Sequence, residues 1–276
     1  MQRTQGWFHT FCITSTCLLL VACINLTAVH EWSQTSLNAV QYSEIVTTYA
    51  DTPQRLQRYD PGPHWVNQIK KRTMQAQLLQ QLLTVIADYM SSLATLSADS
   101  TINYTNDVQS FSQSLSKLDT HLSTNTQQAA SGIVNTLLEA AARGYQAQQV
   151  KEVITKANEP LQQIMKGELR TIIDQDFRRD LRIEKLSIKR YYHSLLEQKR
   201  YSQAAKVALL EWKEFRLTEN MKRQKAIDAY LNILDAIAKG HQELYNNREQ
   251  LDIVELSKEL YGFARTMRKH IKVILH

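Results

Sequence analysis

Few residues of this chain have the types and spacing that acid–base or metal chemistry requires. No two of the eight histidines are spaced to share a helix face; they are His9, His30, His64, His121, His193, His241, His270 and His276. The sequence has no Glu-x-x-His pair of the di-iron bundle type and no His-Glu-x-x-His zinc motif. It also has no Gly-x-Ser-x-Gly elbow and no phosphate-binding loop. We therefore predict no catalytic residue, no metal site and no cofactor.

Four carboxylates in the second half of the chain come closest to a paired acid–base group. Asp176, Asp180 and Glu184 are spaced four residues apart and would share one helix face, with Asp174 nearby. Paired carboxylates transfer protons only when they face a cleft. Basic residues lie among them, and Asp174 has the i,i+4 spacing of an ordinary ion pair with Arg178. We interpret this stretch as a solvated charge network.

The clearest chemical motif lies near the N-terminus. One charged residue, Arg3, precedes an apolar run over 11–22, and the small-residue cleavage motif Leu20-Val21-Ala22-Cys23 lies at the end of that run. This order is typical of a secretory signal. The four residues resemble the lipobox of bacterial lipoproteins. The resemblance implies cleavage between Ala22 and Cys23 and attachment of diacylglycerol to the Cys23 sulfur.

The resemblance also implies a location. Ile24 is not the aspartate associated with retention in the inner membrane, so in a Gram-negative envelope the outer membrane is favoured, with the domain facing the periplasm. The alternative is an uncleaved anchor, because the weakly polar run over 11–29 approaches the roughly 20 residues that span a bilayer. Both interpretations place the rest of the chain outside the cytosol, attached to a membrane at its N-terminus.

Composition favours long helices without disulfides. Two of the three cysteines, Cys12 and Cys17, lie inside the presumed signal, so no disulfide framework is expected in the mature chain. The chain has 7 Gly and 4 Pro in 276 residues, well below the roughly 7% and 5% of average proteins. Such a scarcity of turn-forming residues argues against β-rich and βαβ folds.

The charge is unevenly distributed along the chain. Lys and Arg minus Asp and Glu is 9 − 11 = −2 over residues 23–159 and 23 − 16 = +7 over residues 160–276. We expect most of these charges to solvate helix faces. A modest basic excess could also attract anionic headgroups, but it is too sparse to predict nucleic-acid binding.

Apolar residues at spacings of three and four predict a series of helices. After a short tether over 24–31, we expect helices over 31–49, 64–97, 108–122, 132–156, 161–199, 202–239 and 251–274. The pair over 64–97 and 108–122 should form an antiparallel hairpin. Asp60-Pro61-Gly62-Pro63 predicts a loop, 123–131 a connection, Asn158-Glu159-Pro160 a helix start, and Gly240 a helix end. Arg200-Tyr201-Ser202 could be a kink, a turn or an uninterrupted helix.

Aromatic and basic residues of the second half suggest how these helices are used. We interpret most of the aromatics, at helical spacing with Leu and Ile, as core; they are Phe177, Tyr191, Tyr192, Tyr201, Trp212, Phe215, Tyr230, Tyr245, Tyr261 and Phe263. His270 should be half-buried on the last seam. The densest basic cluster consists of Arg265, Arg268, Lys269 and Lys272. Their positive charges interact favourably with the negative, C-terminal end of their own helix dipole. The cluster could also contact an anionic surface.

These patterns predict an all-α fold: an elongated antiparallel helical bundle with coiled-coil-like long helices. The predicted regions are a signal peptide (1–22), a lipidated N-terminus with first helix and Pro-rich linker (23–63), a helical hairpin region (64–159) and a long-helix charged region (160–276). The predicted function is a membrane-anchored, non-enzymatic structural or protein-interaction module, with a protein partner of unspecified identity. The alternative function is a ligand-binding or enzymatic domain on the same anchor, with Asp176, Asp180, Tyr192 and His193 in a cleft. The long helices could also pair with those of a second copy of the chain.

Overall fold

The computed structural model describes residues 26–42, 44–98, 122–143 and 149–275, and every regular element among them is a helix. The chain is therefore an all-α helical bundle, as predicted. In chain order the elements are α1 (Thr27–Val40), α2 (Glu44–Ala50), α3 (Thr52–Gln57), α4 (Trp65–Leu96), α5 (Thr124–Ala142), α6 (Val150–Lys166), α7 (Glu168–Arg170), a π-helical segment (Thr171–Phe177), α8 (Arg178–Leu196), α9 (Gln203–Asn246) and α10 (Val254–Leu275).

The first helix begins earlier and ends sooner than predicted. α1 starts at Thr27, within the stretch expected to be a tether, and its Val29 and Trp32 are fully buried. Burying a side chain of this size stabilises a fold by about 1.5–3 kcal/mol, which draws the start of α1 into the core. The helix predicted over 31–49 is also divided, because α1 ends at Val40 and α2 begins at Glu44.

α4 confirms the helix predicted over 64–97. The five large residues of its predicted seam are buried in the core: Leu79, Leu83, Ile86, Met90 and Leu93. The helix predicted over 108–122 lies outside the described residues except at Leu122, and so does the hairpin that it would form with α4.

The middle of the chain departs from the predicted boundaries. The stretch over 123–131, expected to be a connection, is helical from Thr124, because the Ser123 hydroxyl caps α5 by accepting from the Thr126 backbone N–H at 3.3 Å. The single helix predicted over 132–156 is two helices, since α5 ends at Ala142 and α6 begins at Val150.

Pro160 lies inside α6 and does not begin a helix, contrary to the prediction. A proline inside a helix removes one backbone hydrogen bond and is normally costly. Here Leu161 and Ile164 beside it are fully buried, and a Cβ added at Gly132 of α5 would lie 3.7 Å from the Pro160 ring. Packing of α6 against α5 therefore offsets the local cost.

The second half contains the longest helix. The helix predicted over 161–199 is interrupted at Gly167 and passes through the π-helical segment before α8. Arg200-Tyr201-Ser202 is a turn, after which the Ser202 hydroxyl accepts from the Ala205 backbone N–H at 3.2 Å. α9 then continues for 44 residues, which is about 66 Å at 1.5 Å per residue.

Gly240 does not end a helix, which corrects the prediction. It lies within α9, where a Cβ would come 2.6 Å from Cε2 of Trp32. The glycine is needed because α1 and α9 approach too closely for any side chain at this position. The Tyr230 hydroxyl donates to the Val40 carbonyl at 3.4 Å, so α1 and α9 run antiparallel and the C-terminal end of α9 lies beside the start of α1.

One continuous core joins α1, α4, α5, α6, α9 and α10. Residues 185–218, which we call the arm, form the tip of the antiparallel pair α8 and α9 and contribute nothing to that core. The Asn220 amide donates to the Leu181 carbonyl at 3.0 Å; from there α9 reaches about 26 Å to Gln203, at 1.5 Å per residue. We call the remaining described residues the body.

Candidate functional site

The predicted cleavage and lipidation residues, Ala22 and Cys23, lie outside the described residues. The described chain begins at Leu26, which is only 5% exposed. The His30 ring lies 2.8 Å, at Nδ1, from the Ala94 carbonyl and holds the start of α1 against the C-terminal end of α4. The chain is therefore packed from Leu26 onward, and Leu26 is three residues after Cys23.

Glu184 lies at the centre of a buried ion cluster. Its two carboxylate oxygens accept from Nε of Arg55 at 3.1 and 3.2 Å, and Arg223 lies 3.6 Å away. Arg55 also donates to the Thr48 carbonyl at 2.8 Å and to the Thr52 hydroxyl at 3.0 Å. Burial lowers the pKa of Arg55, and the Glu184 charge opposes that change. The prediction of a solvated network is wrong here, because α3 packs against α8.

Asp180, one turn earlier on α8, is buried as well. Arg72 of α4 donates to its carboxylate, and Nε of Arg179 lies 3.6 Å from the same group. Burial raises the pKa of Asp180, and these two arginine charges oppose the rise. The Arg72 guanidinium also lies 4.1 Å from the centre of the Tyr49 ring, within cation–π range. Asp180 therefore joins α4 to α8.

The outer part of the charged stretch is solvated, as predicted. Nε of Arg178 donates to Asp174 at 2.8 Å, and NH1 of the same guanidinium donates to Asp228 of α9 at 2.6 Å. All three side chains are partly or well exposed. Exposed pairs of this kind usually contribute between zero and about 1 kcal/mol.

The four residues named for a catalytic cleft do not converge on one. Asp176 and Asp180 border a depression of about 410 Å³ between α4 and α8, and arginines hold both carboxylates. Tyr192 is buried within the arm. The His193 ring lies on the exposed arm surface, 3.2 Å from Glu197. These residues therefore occupy two separate places.

A larger groove of about 860 Å³ opens where α2, α3, α9 and the C-terminal end of α10 meet. Its charged lining mixes both signs: Arg55, Arg58, Lys222, Arg223, Lys225, Glu44, Asp51 and Glu219. Arg55 and Arg223 are engaged with Glu184, and Lys222 lies 3.3 Å from Glu219. Four of the eight charged residues of the lining, Arg55, Arg223, Lys222 and Glu219, are therefore paired within the protein.

A buried polar network, which the sequence pattern did not predict, is centred on His241. The Tyr89 hydroxyl donates to Nε2, and Nδ1 lies 2.9 Å from the amide oxygen of Asn158. Because that oxygen can only accept, Nδ1 carries the proton and the ring is neutral. Burial lowers the pKa of His241 to about 3. Each ring nitrogen has a protein partner, so this histidine ties α4, α6 and α9 together.

The aromatic residues divide between core and surface, which corrects part of the prediction. Phe177 and Tyr230 are buried, whereas Trp212 and Phe215 of the arm are 53% and 51% exposed. The two exposed rings meet edge to face at 6.0 Å, and Arg216 lies 5.5 and 5.6 Å from their centres. Helical spacing places these rings on one stripe of α9, and that stripe is exposed.

The basic cluster of α10 is exposed at all four positions: Arg265, Arg268, Lys269 and Lys272. Arg268 contacts α1: it donates to the Glu31 carboxylate and, at 3.3 Å, to the Thr35 hydroxyl. Contact of this cluster with an anionic surface stays a prediction. His270 is half-buried, as predicted.

Within the described ranges, no group of His, Cys, Asp and Glu side chains is arranged to hold a metal ion. None of the described helices has both the length and the apolar character that crossing a bilayer requires. Comparison with protein-family models, curated protein sequences and solved structures finds no match to this chain.

Proposed function

We propose that this chain is a bacterial envelope lipoprotein, held on a membrane by acylated Cys23, whose helical body is a non-enzymatic structural or protein-interaction module. The observation that carries the proposal is the burial of Leu26 and Val29, at 5% and 0% exposure. A chain packed at Leu26 leaves at most Ile24 and Asn25 as a link between the lipid and the fold.

The same burial argues against the uncleaved anchor. A span over 11–29 would need Ala28 and Val29 in the bilayer, yet both are in the protein core. Without the residues from Leu26 onward, the apolar run is limited to 11–25. That run is shorter than the roughly 17 residues that a spanning helix needs. The run is instead long enough for the hydrophobic part of a cleavable signal.

The short link sets how the body would stand on the membrane. Three residue steps span about 10–11 Å when fully extended. The ends of α4 and α9 beside the start of α1 would therefore lie close to the headgroups. The arm is at the opposite end of α9, so the anchor and the arm mark the two ends of the molecule.

Internal pairing of the charged residues supports a non-enzymatic role. Asp180, Glu184 and His241 are the buried titratable groups that most resemble catalytic residues, and each is held by protein partners from other helices. Groups used in this way stabilise packing between helices. A module of this kind would work through its surface.

The test is metabolic labelling of the full chain with radioactive palmitate in a Gram-negative host. We expect label in the parent, none in Cys23→Ser, and unchanged label in the matched control Cys17→Ser. Inhibiting the lipoprotein signal peptidase should leave a heavier precursor, and density-gradient fractionation should place the mature form in the outer membrane. An unlabelled chain with an intact N-terminus would refute the proposal in favour of a spanning anchor.

A further inference from the structure

The arm carries most of the net charge of the chain. Residues 185–218 contain eight Lys and Arg and three Asp and Glu, a balance of +5, against +6 for all 276 residues. The acidic exceptions are Glu197, Glu211 and Glu214. A protruding element with this charge attracts anions and repels a second copy of itself.

The arm cations are not committed to carboxylates. In the described residues, no Asp or Glu lies within ion-pair distance of any of these seven: Lys185, Lys189, Arg190, Lys199, Arg200, Lys206 and Lys213. Two arginines of the body, Arg55 and Arg72, are by contrast buried against acidic partners, although Lys239 and Lys258 of the body are exposed. The charges of the arm therefore remain available to an outside group.

Apolar side chains are exposed between these cations. The exposed apolar side chains of the arm that have no body ring against them are Leu186, Val207, Leu210, Trp212 and Phe215. Aromatic rings beside Lys and Arg are the side chains that accumulate at a membrane–water interface, where one end of each is apolar and the other wet. The arm thus combines the two interactions that hold a helix on an anionic bilayer.

We infer that the arm is a second membrane-attachment site, which binds anionic phospholipid headgroups through its lysines and arginines and places Trp212 and Phe215 at the interface. A protein partner fits less well, because five of the eight arm cations are lysines, and lysine is depleted in protein–protein interfaces.

The inference goes beyond the proposed lipoprotein and does not depend on acylation of Cys23. Binding of both ends to one bilayer would lay α9, about 66 Å long at 1.5 Å per residue, along the membrane surface. The arm would bind with or without the lipid, since its charge and exposed rings belong to α8 and α9.

The test places the full chain in vesicles of brominated lipid and measures quenching of tryptophan emission. Subtracting the quenching of Trp212→Phe from that of the parent gives the quenching of Trp212 alone. We expect this difference in vesicles of phosphatidylglycerol mixed with phosphatidylcholine, and none in phosphatidylcholine alone. Raising the salt to about 1 M, where the Debye length is roughly 3 Å, should abolish it.

The charge-reversed pair Lys185→Glu/Lys189→Glu should lose the Trp212 quenching. The matched control, Lys239→Glu/Lys258→Glu, makes the same change of charge at exposed positions of the body and should retain it. Circular dichroism and urea unfolding establish that each variant is folded. Equal quenching in both vesicle types, or in both charge-reversed pairs, would overturn the inference.

Two other outcomes would also overturn it by assigning the surface to another occupant. One is a dimer in sedimentation velocity that Trp212→Ala/Phe215→Ala abolishes, with no quenching by lipid. The other is an arm that stays unquenched on anionic vesicles but cross-links to an acidic protein. Palmitate labelling is read separately, so failure of the lipid anchor and failure of the arm are distinguishable.

Discussion

The body buries charged and aromatic residues of types that the arm leaves exposed. In the body, Arg55 and Glu184 are buried together, and Trp32 is enclosed between α1 and α9. In the arm, Lys189 has no acidic partner in the described structure, and Trp212 is 53% exposed. The same residue types therefore stabilise packing at these positions of the body and remain exposed at these positions of the arm. Variants at matched positions should separate the two uses.

The largest expected difference is between a buried and an exposed charge. Glu184→Gln leaves Arg55 buried without a counter-charge, and breaking a buried pair in this way costs about 3–5 kcal/mol. Lys189→Gln on the arm should change the free energy of unfolding by no more than about 0.5 kcal/mol. Urea unfolding at pH 7 measures both. Similar losses in the two variants would show that the body and the arm do not differ in this respect.

The buried histidine should make the stability of the body depend on pH. With a pKa of about 3 when folded, His241 stays neutral where an unfolded histidine, near 6.5, takes up a proton. Its contribution is therefore complete above pH 6.5 and is lost as the pH falls towards 3, by about 1.4 kcal/mol per pH unit between those values.

His241→Gln should remove that share of the pH dependence, measured as urea unfolding between pH 7 and pH 4. His193→Gln is the control, because that ring is exposed on the arm. Parallel pH profiles for the parent and His241→Gln would contradict the assignment of a buried neutral ring.

Two glycines test the close packing of the body. Gly240→Ala forces a Cβ against Trp32 and should destabilise the chain by about 1–3 kcal/mol. Gly262→Ala in α10 meets nothing within 4 Å and should stabilise it by about 0.5–1 kcal/mol through helix propensity. Thermal unfolding of both variants gives the sign. Stabilisation by Gly240→Ala would mean that α1 and α9 can move apart.

The smallest expected effect is on the exposed rings. Trp212→Ala/Phe215→Ala should change the free energy of unfolding by about 0.5 kcal/mol or less. Trp32→Ala, which empties a buried position, should cost about 3–5 kcal/mol. Urea midpoints compare the two. A large loss from the arm variant would mean that these rings support the fold and are not reserved for a surface.

Helix identity was more predictable from sequence than helix ends. The seam from Leu79 to Leu93 predicted α4, since a regular three–four spacing is satisfied only by one buried helix face. The helix boundary predicted at Pro160 and the end predicted at Gly240 were wrong. Local preference gives way at these positions because α5 packs on one and Trp32 on the other.

The candidate surfaces were predictable only in part. The basic excess of the second half was visible in the sequence, but its concentration in the arm depends on where α8 and α9 leave the body. Burial of Asp180 and Glu184 could not be predicted, because their partners Arg72 and Arg55 lie more than a hundred residues away in the chain. The lipobox prediction rests on residues that the structure does not describe.

The helical fold and the positive charge of the second half follow from the sequence alone. Scarce Gly and Pro and a regular apolar spacing suffice to predict helices, because helix formation depends on near neighbours in the chain. The charge distribution is a count of residues along the sequence. Which charges are buried and which aromatic rings remain exposed depend on the tertiary structure. Those properties depend on which distant helix covers a given face, and a local pattern does not encode that contact.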